Sequence, residues 1–168
     1  MTRASILFIA VATLTTTACK KKEEGATGSA DKAAEGKAAE GKAGAVQLPK
    51  LGLQLDVPGE AKVDDAIGGE GHMLMGEGIG AMQVEVAKTP QTIDEAKSDA
   101  EMYTPKNLKT ETLPDGWALT FDNTGSMGAN YFVQVRRDIG GKTYTCSTTG
   151  SQPGQAAAVL AACKSLRK

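Results

Sequence analysis

Residues 20–45, KKKEEGATGSADKAAEGKAAEGKAGA, contain no aromatic residue and no Leu, Ile, Val or Met. A stretch of that composition cannot bury enough apolar surface to offset the entropy of ordering it. The unit Lys-Ala-Ala-Glu-Gly occurs at 32–36 and again at 37–41. Ala, Lys and Glu favour transient helix, but Gly36 and Gly41 interrupt each unit. The segment is expected to be a disordered tether with an end-to-end distance of roughly 25–30 Å. Folding is therefore confined to residues 46–168, a length that suits a single domain.

The chain ahead of the tether has a different character. Arg3 gives a positive start, and Ile6 to Leu14 is an apolar run with one Thr. Thr15, Thr16, Thr17 and Ala18 step down to small residues, and Cys19 follows. This is the layout of a secretory signal, and the run is too short to span a bilayer as a helix. The Cys directly after Ala18 resembles the signal of bacterial lipoproteins. In that family Leu is preferred three residues before the Cys, where this chain has Thr16; Leu14 lies two residues further back. The resemblance implies cleavage after residue 18, a lipidated (palmitate-type acylated) Cys19 and anchoring to the cell envelope. Lys20 stands where many inner-membrane lipoproteins carry Asp, so the outer membrane is the expected destination. The alternative is an ordinary cleaved signal that leaves Cys19 a free thiol. With Cys19 lipidated, Lys20, Lys21 and Lys22 are expected beside anionic lipid headgroups, a solvated charge run being the alternative.

Charge separates few functions. Residues 20–45 carry 6 Lys against 5 acidic residues, and residues 46–168 carry 12 basic against 15 acidic. A mildly acidic domain has no basic excess for nucleic acid. With Cys19 assigned to the lipid, Cys146 and Cys163 remain. An even number of cysteines in an exported chain reads as one disulfide, two buried thiols or a metal pair being the alternatives.

The domain pattern predicts α+β. Leu51, Leu53, Leu55 and Val57 alternate with polar residues as a half-buried strand does. Ala61–Asp65 is a short piece, 72–76 a strand among six glycines, and Met82, Val84 and Val86 another strand. Thr92 and Glu95 form a capping box that opens a helix over about 92–104, before Pro105. Extended segments follow at about 108–113, 117–122, 130–137 and 142–148, with turns at Pro114-Asp115-Gly116 and 138–141. Pro153 opens a second helix, about 153–167, with Ala156, Val159, Leu160, Cys163 and Leu166 on its apolar stripe. The expectation is a mostly antiparallel sheet of about six or seven strands covered by two helices. Cys163 on the stripe would staple the second helix to Cys146 on the last strand. The order of elements over about residues 46–168 resembles the PsbP-like fold, in topology alone, and carries over no functional residue.

Catalytic motifs are missing. Thr124-Gly125-Ser126-Met127-Gly128 misses the Gly-x-Ser-x-Gly elbow by one position, and no phosphate-cradling glycine motif occurs. His72, the single histidine, lies in a glycine-rich stretch and is expected to be an exposed loop residue. His72, Met73, Met75 and Met82 make a candidate Cu(I) set of soft donors, with core packing as the alternative for the methionines. Trp117, Phe121 and Tyr131 fall at core spacing. No cofactor is expected. The reading that results is a non-enzymatic, membrane-anchored lipoprotein whose tethered domain binds a protein or envelope component. The alternative is a periplasmic small-ligand or copper carrier.

Overall fold

Leu53, Leu55 and Val57 alternate with Gln54 and Asp56, and this period of two becomes strand β2 (Leu53–Pro58), its three apolar side chains buried. The computed structural model describes residues 43–68, 70–125 and 128–168. The expected signal sequence, Cys19 and the tether up to residue 42 lie outside the described residues. Strand β1 (Ala43–Leu48) takes in Ala43, Gly44 and Ala45, which composition alone groups with the tether, and pairs antiparallel with β2. Leu51, expected to start the strand, lies instead in the connecting turn, where Gly52 adopts φ +63° and Leu51 N–H donates to Leu48 O at 3.0 Å.

Three strands follow as a meander, β3 (Ala61–Asp65), β4 (Gly71–Gly76) and β5 (Gly80–Val86). Helix α1 (Ile93–Glu101) begins with the expected capping box. Glu95 N–H donates to Thr92 Oγ1 at 3.3 Å, and Thr92 N–H donates to Glu95 Oε2 at 2.7 Å. It ends three residues before the expected Thr104, which takes a left-handed φ of +51° ahead of Pro105. A second meander comprises β6 (Lys106–Leu113), β7 (Gly116–Gly125), β8 (Gly128–Ile139) and β9 (Lys142–Ser151). Helix α2 (Pro153–Lys164) closes the order.

Among the described residues there are nine strands in two sheets, more than the single sheet of six or seven expected. The large sheet runs β3-β4-β5-β9-β8-β7-β6, antiparallel throughout; β1 and β2 form the small one. The last strand therefore joins the two meanders at the centre of the sheet. The architecture is α+β. No helix among the described residues is long and apolar enough to cross a membrane.

The two faces of the large sheet are covered differently. Leu74, Met82, Val84, Val133, Val135 and Cys146 point to one side, where α2 and the β1–β2 hairpin pack as a second layer. Trp117, Leu119 and Phe121 point to the other side, under α1. Burying side chains like these contributes about 1.5–3 kcal/mol each, and both clusters are needed because β7 is covered on both faces.

Cys146 and Cys163 form a disulfide, with Cα atoms 5.6 Å apart, that joins β9 to α2. Helix α2 stops at Lys164 and not at Arg167, because the tail has a different partner. Gln54 N–H donates to Arg167 O at 2.8 Å and Arg167 N–H to Gln54 O at 2.9 Å. The Arg167 guanidinium forks onto both carboxylate oxygens of Asp56 at 2.8 Å. That hydrogen bond holds the Asp56 carboxyl below the ordinary carboxylate range. A depressed folded-state value means the stabilisation is full above the unfolded value, near pH 3.9, and is lost as pH falls through the folded one. Asp56→Asn should thus lose less stability than the native chain between about pH 5 and pH 2 in an acid titration followed by circular dichroism. Coincident slopes would show that the pair contributes nothing.

Candidate functional site

Period two dictates what the α1 side of the sheet presents. Gln134 on β8 faces Ser147 on β9, which faces Gln83 on β5; in the neighbouring row Arg136 faces Thr145, which faces Glu85. Their chain neighbours Val135, Cys146 and Val84 point into the opposite core. Helix α1 covers only part of this face. Its buried residues are the small Ala96 and Ala100, which let it lie close on Trp117, Leu119 and Phe121. Beyond its edge the polar row is half-buried, and a groove of about 430 Å³ opens between helix and sheet.

The floor of the groove is Gln134, Thr145 and Ser147, with Glu85 at its far side; Asp99 and Tyr103 form the helix-side wall. Gln91, in the loop ahead of α1, ties the wall to the floor. Its amide donates to Asp99 Oδ2 at 2.6 Å and accepts from Gln134 Nε2 at 3.1 Å. Its backbone carbonyl accepts from Trp117 Nε1 at 3.2 Å and from an Arg136 guanidinium nitrogen at 3.1 Å. Arg136 Nη2 also donates to both Asp138 carboxylate oxygens, at 3.3 and 3.0 Å, which holds the guanidinium beside the sheet, while its buried Nε has no partner among the described residues. Phe121 and Phe132 stack with centroids 4.5 Å apart and an interplanar angle of 7°. Tyr103 leans on both, with 51% of its surface exposed at the groove rim.

Two carboxylates, Glu85 and Asp99, line the groove against one ammonium, Lys88, whose Nζ lies 3.9 Å from Glu70. Glu85 accepts from Gln83 Nε2 at 2.8 Å. The acids whose pKa is lowered lie elsewhere and have plain causes. Asp56 is held by Arg167, Asp65 by the Lys50 ammonium at 2.7 Å, and Glu95 by the Thr92 backbone and hydroxyl of the cap.

The sequence-predicted metal set does not converge. His72 is a strand residue on β4, 4% exposed, and not an exposed loop residue. It shares the core face with Leu74 and Met82, whereas Met73 and Met75 alternate to the other face. Soft-metal binding needs donors aimed at one point, and the pleat divides these four between two sides. Met73 and Met82 border a second cavity of about 190 Å³ beside Ala81 and Thr148; His72 and Met75 do not. Among the described residues no three His, Cys, Asp or Glu side chains cluster in metal-holding geometry.

His72 has a structural partner instead. Its Nε2 accepts from Lys50 N–H at 3.1 Å, which puts the ring proton on Nδ1, a buried atom without a partner among the described residues. The ring fixes the β1–β2 turn onto the large sheet. His72→Leu is close in volume, removes that acceptor and also removes the unpaired Nδ1. The net loss should be about 1 kcal/mol, read as a lower urea midpoint; an unchanged midpoint would show that the bond to Lys50 adds nothing.

Sequence pattern alone did not assemble the groove. Gln83 and Glu85 alternate with Met82, Val84 and Val86 and give that strand one polar face, but nothing in the chain says that β9 inserts beside β5. Trp117 and Phe121 are packed, as spacing predicted. Compared with known proteins, the chain matches no family model and no curated protein.

Proposed function

We propose that this chain is a non-enzymatic lipoprotein of the cell envelope, anchored in the outer membrane through an acylated Cys19, and that its tethered domain binds an envelope component. The segment between Cys19 and β1 would let the domain stand off the bilayer and turn. The order of strands, helix, strands and helix also supports the PsbP-like comparison.

The observation that carries the binding role is the open groove beside α1. It combines uncharged hydrogen-bonding groups with an exposed aromatic rim, and its volume lies within the range of small-molecule sites. Its position on the face opposite the β1–β2 hairpin is favourable, because the chain leading to the anchor enters at β1. A protein or a smaller envelope ligand could occupy such a groove. The second reading, a carrier of a small ligand, is favoured by the same cavity; its copper version loses support from the division of His72 and Met82 from Met73 and Met75.

The test is affinity capture with the full-length, gently extracted protein, compared with Thr145→Arg, which fills the groove floor. A component captured by the native protein and lost by at least about tenfold from the variant supports the proposal. Equal capture by both would move the binding surface elsewhere.

A further inference from the structure

We propose that the groove beside α1 binds a neutral carbohydrate, a short glycan segment of one or two sugar rings. This rests on the reading of the groove as the binding surface and names the chemistry of its occupant.

The floor argues for it first. The Thr145 and Ser147 hydroxyls and the Gln134 amide are uncharged groups that both donate and accept. A sugar hydroxyl also does both, so one ring can satisfy several of them together. The two hydroxyls have no hydrogen-bond partner among the described residues. An apolar occupant would strip their water and leave them unpaired, which costs more than its own burial gains at those points.

Charge narrows the choice. Glu85 and Asp99 outnumber Lys88, so the groove disfavours an anionic ligand, while a carboxylate is a good acceptor for adjacent hydroxyls. Tyr103 supplies the third element. Phe121 and Phe132 spend their faces on each other, so Tyr103 is the ring with open surface, placed to meet the C–H face of a sugar. A peptide strand fits less well. The floor lies inside the sheet, between β5, β9 and β8, where the main-chain groups are already paired and no strand can be added.

Trp117 makes the test direct. It is the single tryptophan, and its indole donates to the carbonyl of Gln91, a groove residue. Full-length protein in a non-glycosidic detergent is titrated with cellobiose, with diacetylchitobiose and with a glucuronate-containing disaccharide, following Trp117 fluorescence. The two neutral probes separate a hexose polymer from an amino-sugar polymer as the natural source. The expected result is a saturable change with at least one neutral disaccharide and a weaker one with the anionic probe. The double variant Thr145→Val, Ser147→Val and the single variant Tyr103→Ala should each weaken binding by roughly tenfold. The inference is overturned if no neutral disaccharide shifts the fluorescence, if the anionic probe binds best, or if the variants bind as tightly as the native chain. If sugars fail while Thr145→Arg still abolishes capture of an envelope component, the glycan falls and the groove stands; if both fail, both readings fall.

Discussion

Replacing Cys146 and Cys163 together by Ala should lower the folding free energy by about 3 kcal/mol. The two residues are 17 apart in sequence, and their bond closes a loop of that size in the unfolded ensemble, which lowers its entropy. Both cysteines are buried, so truncation also leaves a small void between β9 and α2. The loss matters beyond stability. Cys146 lies between Thr145 and Ser147, so the bond holds from behind the strand whose other face is the groove floor. Urea unfolding of the native chain, with and without reductant, beside the double variant measures the effect. The reduced native chain and the variant should unfold at similarly lowered midpoints. A midpoint unmoved by reduction would mean that the pair adds no constraint.

Arg137→Ala should cost a comparable amount, about 3 kcal/mol or somewhat more. The guanidinium is mostly buried, with 13% of the side chain exposed. It forks onto Asp115 at 2.9 and 2.8 Å, and it donates to the carbonyl of Cys163 at 3.1 Å and to that of Lys164. One side chain thus fixes the β6–β7 turn and satisfies carbonyls at the C-terminus of α2, where a positive charge also suits the helix dipole. Truncation leaves the Asp115 charge without its partner and the helix end without its donor. Arg137→Lys should recover only part of the loss, since an ammonium cannot fork onto the carboxylate while reaching two carbonyls. Chemical denaturation of the three proteins checks this. Full recovery in Arg137→Lys would reduce the site to simple charge.

The elements of the fold were largely legible because they rest on local rules. Thr92 and Glu95 announced α1, Pro153 announced α2, and the alternation at 53–57 and 130–137 placed strands. The Cys146–Cys163 bond followed from parity together with the α2 stripe. What was hidden depends on partners distant in sequence. Alternation on β4 sets His72 on the face opposite Met73 and Met75, but not which β5 residue falls across from Leu74; that register puts Met82 on the side of His72 and away from Met73 and Met75. The C-terminus was extended as helix to Arg167 because nothing local shows that Gln54 and Asp56 take Arg167 as their partner. The groove was hidden for the same reason. Gln91, Asp99, Gln134 and Thr145 lie on separate segments, and only the insertion of β9 between β5 and β8 brings them to one place.

The proposed lipid anchor of the binding domain is tested most directly by the intact mass of the protein extracted from membranes. The expected species is a chain beginning at Cys19, heavier than its sequence by a diacylglyceryl group and an N-linked acyl chain. A chain beginning at Cys19 without added acyl mass, or a chain released freely from the membrane fraction, would contradict it.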